Sequence, residues 1–253
     1  MYSIYFLKSF SFAKLKKNKG EKMEILEYIL LGLCLLSTIA FIVVRVLVGG
    51  HTGLMLKIIA SVIFVISGVI TLAMTEADRL IISFIVIGLI MGMLGDILLD
   101  LKVIYDNDKF YLNSGMLSFG IGHIFYFTAF TLLSLNNNIT LTLPLVLSGV
   151  IAIILTIAIT LSSKKMKLDF GKYLWQTVGY TFILSFMTVY TIILAINGMT
   201  FIHAIGLGLF FLSDVVLSLQ YFGGKIANKP LIAINHALYY LAQITLVLAI
   251  MVM

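Results

Sequence analysis

Three acidic residues, Asp96, Asp100 and Asp214, fall inside long apolar runs, whereas the other acids of the chain belong to tails, connections or helix ends. An aspartate at the centre of a membrane-spanning helix costs about 2.5–3.5 kcal/mol to insert, so it needs a compensating reason to be there. Asp96 and Asp214 have matched surroundings. One half of the chain reads Gly95-Asp96-Ile97-Leu98-Leu99 and the other Ser213-Asp214-Val215-Val216-Leu217. Each is followed by a histidine with a tyrosine three residues on, His123 with Tyr126 and His236 with Tyr239.

Two carboxyls facing each other in a medium of low dielectric cannot both ionise cheaply, so the pair would offer an acid beside a base. Such a pair suits hydrolysis of an acid-labile ether or acetal-like bond, where a proton is delivered and water is then activated. It suits equally a proton-coupled or small-solute transporter. Two Asp and two His are also zinc-ligand types, but no close His-x-x-x-His or Cys spacing supports a metal. Serine nucleophile chemistry lacks a Gly-x-Ser-x-Gly elbow, and phosphate-cradling glycine loops are absent from the sequence. Asp100 reads as interfacial.

The elements that must hold these groups are membrane helices. Hydrophobic residues make up 61% of the chain and charged residues only 11%, against about a quarter charged in soluble domains. Eight apolar stretches are long enough to cross a bilayer core of about 30 Å: Tyr28–Val48, Leu54–Met74, Leu80–Leu101, Gly115–Leu135, Ile139–Leu161, Tyr173–Ile196, Met199–Leu219 and Leu231–Met253. The fold class expected is therefore an all-α polytopic bundle in two four-helix pseudo-repeats. Barrel-type alternation is missing, and a lipid-exposed backbone must satisfy its own hydrogen bonds. Pro144 lies inside the fifth stretch and predicts a kink there.

Residues 1–22 form a basic tail carrying Lys8, Lys14, Lys16, Lys17, Lys19 and Lys22, read as a flexible cytoplasmic tail or as sequence upstream of a true start at Met23. Residues 23–253 are read as one transmembrane domain. Lys and Arg outnumber Asp and Glu by 17 to 11, but they cluster in short connections, which is a topology signal rather than a nucleic-acid footprint. Connections after the third, fifth and seventh stretches are basic, which places them in the cytoplasm and both termini outside; the basic tail argues for the opposite sense. The expected location is the cell membrane if the source is bacterial. Cys34 is the only cysteine and sits in an apolar run, so no disulfide framework exists.

With a rise of 1.5 Å per residue, Asp96 lies about 9 Å and Asp214 roughly 9–12 Å from the ends of their stretches. His123 and His236 lie about 12 and 8 Å from the starts of theirs, at the same membrane face, so all four can share one cavity. On the last stretch His236, Tyr239, Tyr240 and Gln243 form a polar stripe at i, i+3, i+4 and i+7. Gly88, Gly92 and Gly95 form a small-residue face that lets a neighbouring helix approach closely. Tyr180, Ser185 and Tyr190 are further polar candidates, and Lys57 either joins the cavity or snorkels to the interface.

Taken in order, Gly95-Asp96-x-x-Leu99, Phe119-x-x-x-His123-x-x-Tyr126-x-x-x-Phe130, Ser213-Asp214-x-x-Leu217-x-x-x-x-Phe222 and Tyr239-Tyr240-Leu241-Ala242-Gln243 resemble the YhhN family. The resemblance runs from about Lys57 to the C-terminus. It implies an eight-helix membrane hydrolase of the lysoplasmalogenase type, which cleaves the vinyl ether of a lysoplasmalogen to a fatty aldehyde and a glycerophospho-alcohol. Asp96 and Asp214 correspond to the family's paired aspartates and are the expected catalytic residues. Lys57, His123, Tyr126, Tyr180, Ser213, His236, Tyr240 and Gln243 are the expected substrate-binding residues. No metal and no organic cofactor is implied; the implied partners are a lysophospholipid substrate and membrane lipid.

Overall fold

In a computed structural model the chain is all-α. The helices are α1 (Tyr2–Leu47), α2 (Gly50–Met74), α3 (Arg79–Tyr105), α4 (Asp108–Asn136), α5 (Thr142–Lys165), α6 (Leu174–Ile196), α7 (Ile202–Tyr221) and α8 (Lys229–Met251). The structure describes residues 2–75, 78–105, 108–225 and 227–253, with side chains described from Ile25 onward except at 103, 108 and 109. The side chains of the basic tail thus lie outside the described residues, while its backbone continues α1. Each helix contains a segment long and apolar enough to span a bilayer, from Ile25–Leu47 in α1 to Lys229–Met251 in α8. The chain is a multi-pass integral membrane protein.

Helix starts and stops follow local chemistry. Gly49 and Gly50 have φ of 67° and 55°, left-handed values that glycine adopts without steric cost, and they reverse the chain between α1 and α2. At α8 the Asn228 side chain accepts from Leu231 N–H, with Pro230 in the first turn where its missing donor is harmless. Pro144 behaves likewise. The fifth span was expected to start at Ile139 and kink at this proline; the helix instead begins at Thr142, so Pro144 stands in the first turn, where a proline ring is tolerated.

Packing pairs close a ring in the order α1, α2, α3, α4, α6, α7, α8 and back to α1, and α8 also reaches across to α2 and α3. Among the described residues, α5 packs on α6 and on no other helix. Its Val146, Val150, Ile153, Ile154 and Ile157 are exposed, an apolar face suited to contact with lipid. The two four-helix halves make corresponding contacts: α3 on α4 matches α7 on α8, and α4 on α6 matches α8 on α2. Two pairs lack a counterpart, α3 on α8 and, more extensively, α1 on α8. α1 packs on α8, but α5 does not pack on α4.

The α3–α4 seam is close because its glycines have no side chain. A Cβ on Gly95 would stand 2.6 Å from the Phe119 ring, and one on Gly88 would overlap the Tyr126 ring. These aromatic rings fill the space the glycines leave, which is how helices pack tightly where lipid supplies little hydrophobic drive.

Candidate functional site

Two helix faces bring four ionisable or hydroxyl groups into register. On α2, Lys57 and Ser61 are one turn apart; on α3, Asp96 and Asp100 are one turn apart, so each pair lies on one face. Lys57 Nζ sits 3.3 Å from Asp96 Oδ1 and 3.2 Å from Asp100 Oδ1. Arg45 of α1 approaches Asp100 Oδ1 at 3.3 Å. Ser61 donates to Asp96 Oδ2 at 2.8 Å, and the Tyr240 hydroxyl lies 2.9 Å from Ser61 Oγ and 3.1 Å from the Lys57 carbonyl oxygen. Lys57, Asp96 and Asp100 are each at least 96% buried. Two acids and two cations at these distances can balance in charge, which is what makes so polar a cluster tolerable when buried.

Asp214 on α7 has different company. Tyr180 of α6 donates to its Oδ2 at 2.6 Å, and Ser213 donates to Oδ1 at 3.3 Å as well as to the Phe210 carbonyl at 2.7 Å. Asn235 of α8 donates to the Ser213 carbonyl at 2.7 Å, which ties the α7 backbone to α8 beside the carboxyl. The partners of Asp214 are hydroxyls; the partners of Asp96 include an ammonium.

Asp96 and Asp214 line one cavity of about 260 Å³. Its walls include Arg45, Lys57, Asp100, Asn235, His236 and Tyr239, and the Gly49–Gly50 turn and Gln220 stand at its outer end. That end lies at the membrane face of the α1–α2, α3–α4, α5–α6 and α7–α8 connections. A second, apolar cavity of about 240 Å³ runs between α4, α5, α6 and α7, with Tyr180 on its wall. Leu99, Phe119, Asp214, Leu217 and Tyr221 line both. Tyr221 donates to the Leu99 carbonyl at 3.2 Å and lies under Lys102 at 4.3 Å, so α7 is stapled to α3 where the two spaces adjoin.

The residues singled out in the sequence divide by position. Asp96, Asp214, Lys57 and His236 line the polar cavity, and Tyr180 lines the apolar one. Tyr240 stands one layer behind Asp96 through Ser61. Ser213 is buried beside Asp214. His123 does not line either cavity: its Nδ1 is 2.8 Å from the Phe119 carbonyl oxygen, and its ring packs edge-on against Phe210 and Tyr126. Tyr126 is buried against Gly88 and stacks on Phe130. Gln243 is fully buried at Gly92 beneath Tyr239, outside both linings. The two His-x-x-Tyr copies are therefore not equivalent, because the α8 copy meets the cavity and the α4 copy packs against α3 and α7.

Asp100 corrects an expectation. It is not interfacial but 2% exposed and held by two cations. Arg45 and Ser61 were passed over in the sequence, although an arginine within an apolar span is as expensive as an acid and was a legible signal. Lys57 pairs with both acids rather than snorkelling.

The fold and site define a polytopic membrane protein with an ion-paired pocket in one half of the bilayer, adjoining an apolar channel. The sequence matches the YhhN family over residues 52–250, and the chain belongs to that family. Membership links it to lysoplasmalogenase-like membrane proteins and to hydrolase activity on lipids. No curated protein and no solved structure matches it.

Proposed function

We propose that the protein is a lysoplasmalogenase-like hydrolase, cleaving the vinyl ether of a lysophospholipid by acid–base catalysis between Asp214 and Asp96. The observation that carries this reading is that carboxyls from opposite halves of a YhhN-family chain line the same buried cavity. Asp214, whose partners are hydroxyls, is the acid: it gives its proton to the β-carbon of the C=C–O unit, leaving an oxocarbenium ion. Asp96, beside Lys57, is the ionised partner that steadies this cation and takes a proton from water as the water adds to the α-carbon. The resulting hemiacetal then breaks its C–O bond to glycerol: Asp96 passes the proton it took to the glycerol oxygen, and Asp214 takes the hemiacetal hydroxyl proton as the aldehyde C=O forms. One water is consumed; one aldehyde and one glycerophospho-alcohol leave, and the carboxyls return to their starting protonation.

Lys57 and Arg45 supply positive charge toward the outer end of the cavity, suited to a phosphate. His236 and Tyr239 are positioned to orient water and the glycerol hydroxyl. The test is fatty-aldehyde release by purified protein given a vinyl-ether lysolipid and its ester-linked counterpart side by side. Turnover of the vinyl ether in detergent is expected, and its loss in Asp96→Asn and in Asp214→Asn with membrane insertion unchanged. Normal turnover by either variant removes the mechanism. Flux of a solute only in sealed vesicles, with no aldehyde in detergent, would favour a transporter instead.

A further inference from the structure

The apolar cavity has features that the acid–base chemistry does not require. Its wall on α6 runs inward to Leu184 and on α7 to Phe211, each ten residues from the helix end at the polar cavity's face. At 1.5 Å per residue that is a depth of about 15 Å, half of a core of about 30 Å. The space therefore extends through one leaflet and stops near the midplane. Its side wall is the place where the repeat is broken: α1 seals against α8, whereas α4 and α5 do not pack, leaving Leu112 and Met116 on one bank and Ala158 and Ile159 on the other. Its inner edge adjoins the charged cavity at Asp214 and Phe119.

We infer that this groove binds a single hydrocarbon chain of a lipid that enters sideways from the leaflet between α4 and α5, with its polar end delivered to the charged cavity. The inference rests on the proposed lipid hydrolase and adds the route and the subsite. A chain in this groove stays parallel to its neighbours in the leaflet, so it enters without leaving an apolar environment. Its volume of about 240 Å³ and its apolar lining suit a hydrocarbon chain rather than a polar solute.

Binding without turnover tests this. Trp175 is the only tryptophan of the chain and is 80% exposed, so a Trp175→Phe background is spectroscopically silent. Phe211→Trp then places a reporter at the groove's inner end, and Ile153→Trp places a control on the lipid-facing side of α5. In nanodiscs, an ester-linked lysophosphatidylcholine brominated on its chain is expected to quench the position-211 reporter saturably. Unbrominated lysophosphatidylcholine should relieve that saturable phase by competition, while the control is quenched only in proportion to the brominated lipid's content. Ala158→Phe, on the exposed bank, narrows the groove and should weaken the saturable phase by about fourfold for each methylene it excludes.

Quenching at position 211 that follows the control, or that unbrominated lipid does not relieve, overturns the inference. Saturable quenching in a protein that releases no aldehyde removes the reaction and leaves the groove. Aldehyde release without saturable quenching does the reverse.

Discussion

Lys57 stands between two carboxylates, and the local chemistry turns on that position. Removing one member of a buried ion-pair cluster strands the others, at a cost of about 3–5 kcal/mol. Asp100→Asn is accordingly expected to lower the thermal midpoint of the purified protein, because Arg45 and Lys57 lose a shared acceptor. Arg45→Met combined with Asp100→Asn should recover part of that loss, since Lys57 keeps Asp96; a double variant no more stable than the single one would contradict the pairing. Tyr180→Phe removes a donor 2.6 Å from Asp214 while leaving the ring on the apolar wall. As Asp214 gives up its proton it becomes a carboxylate, and a hydrogen bond to such a charged group contributes about 1.5–3 kcal/mol, so aldehyde release should fall by about 10- to 100-fold with the fold intact by circular dichroism. The two central aspartates were legible because an acid in an apolar span is conspicuous. Asp100 was less so: its distance from the helix end suggested water, and only the approach of α1 and α2 reveals what covers it. His123 shows the converse, since a matched spacing says which residues correspond and not which way a helix is turned.

At the scale of the helices, close approach along α3 decides how the site is built. Gly95→Ala directs a methyl into the Phe119 ring, a residue that itself lines both cavities. Overpacking of this kind costs about 1–3 kcal/mol, and thermal unfolding should detect it. Gly149→Ala on α5 meets nothing within 4 Å and should hold or raise stability, by up to about 1 kcal/mol from helix propensity. Equal sensitivity at the two positions would mean that α5 is packed more tightly than its contacts indicate. The helices themselves were readable to within a few residues, because about 20 apolar residues bounded by turn formers leave few alternatives in lipid. Pro144 was misjudged by three residues of helix start, which is enough to turn a first-turn proline into an apparent kink.

For the whole molecule, the alternation of eight spans fixes which connections share a side. With Cys34 buried and 1% exposed, cysteines introduced at Asn137 and Asn197 should be labelled by an impermeant maleimide from one face of a sealed vesicle, and those at Lys167 and Gly224 only from the other. Labelling of all four from the same side would refute the arrangement. The pseudo-repeat was visible as paired motifs, yet its departure from symmetry was not, because sequence periodicity carries no record of which outer helix is drawn against the ring.

Arg45 and the Gly49–Gly50 turn contribute to the charged cavity although both precede residue 52, where the family match begins. Part of the chamber's rim is thus built from a helix that the shared signature does not read. Chains indistinguishable by that signature are free to differ in the charge presented at the entrance. On the proposed lipid-hydrolase reading, headgroup preference can diverge there while both aspartates stay in place.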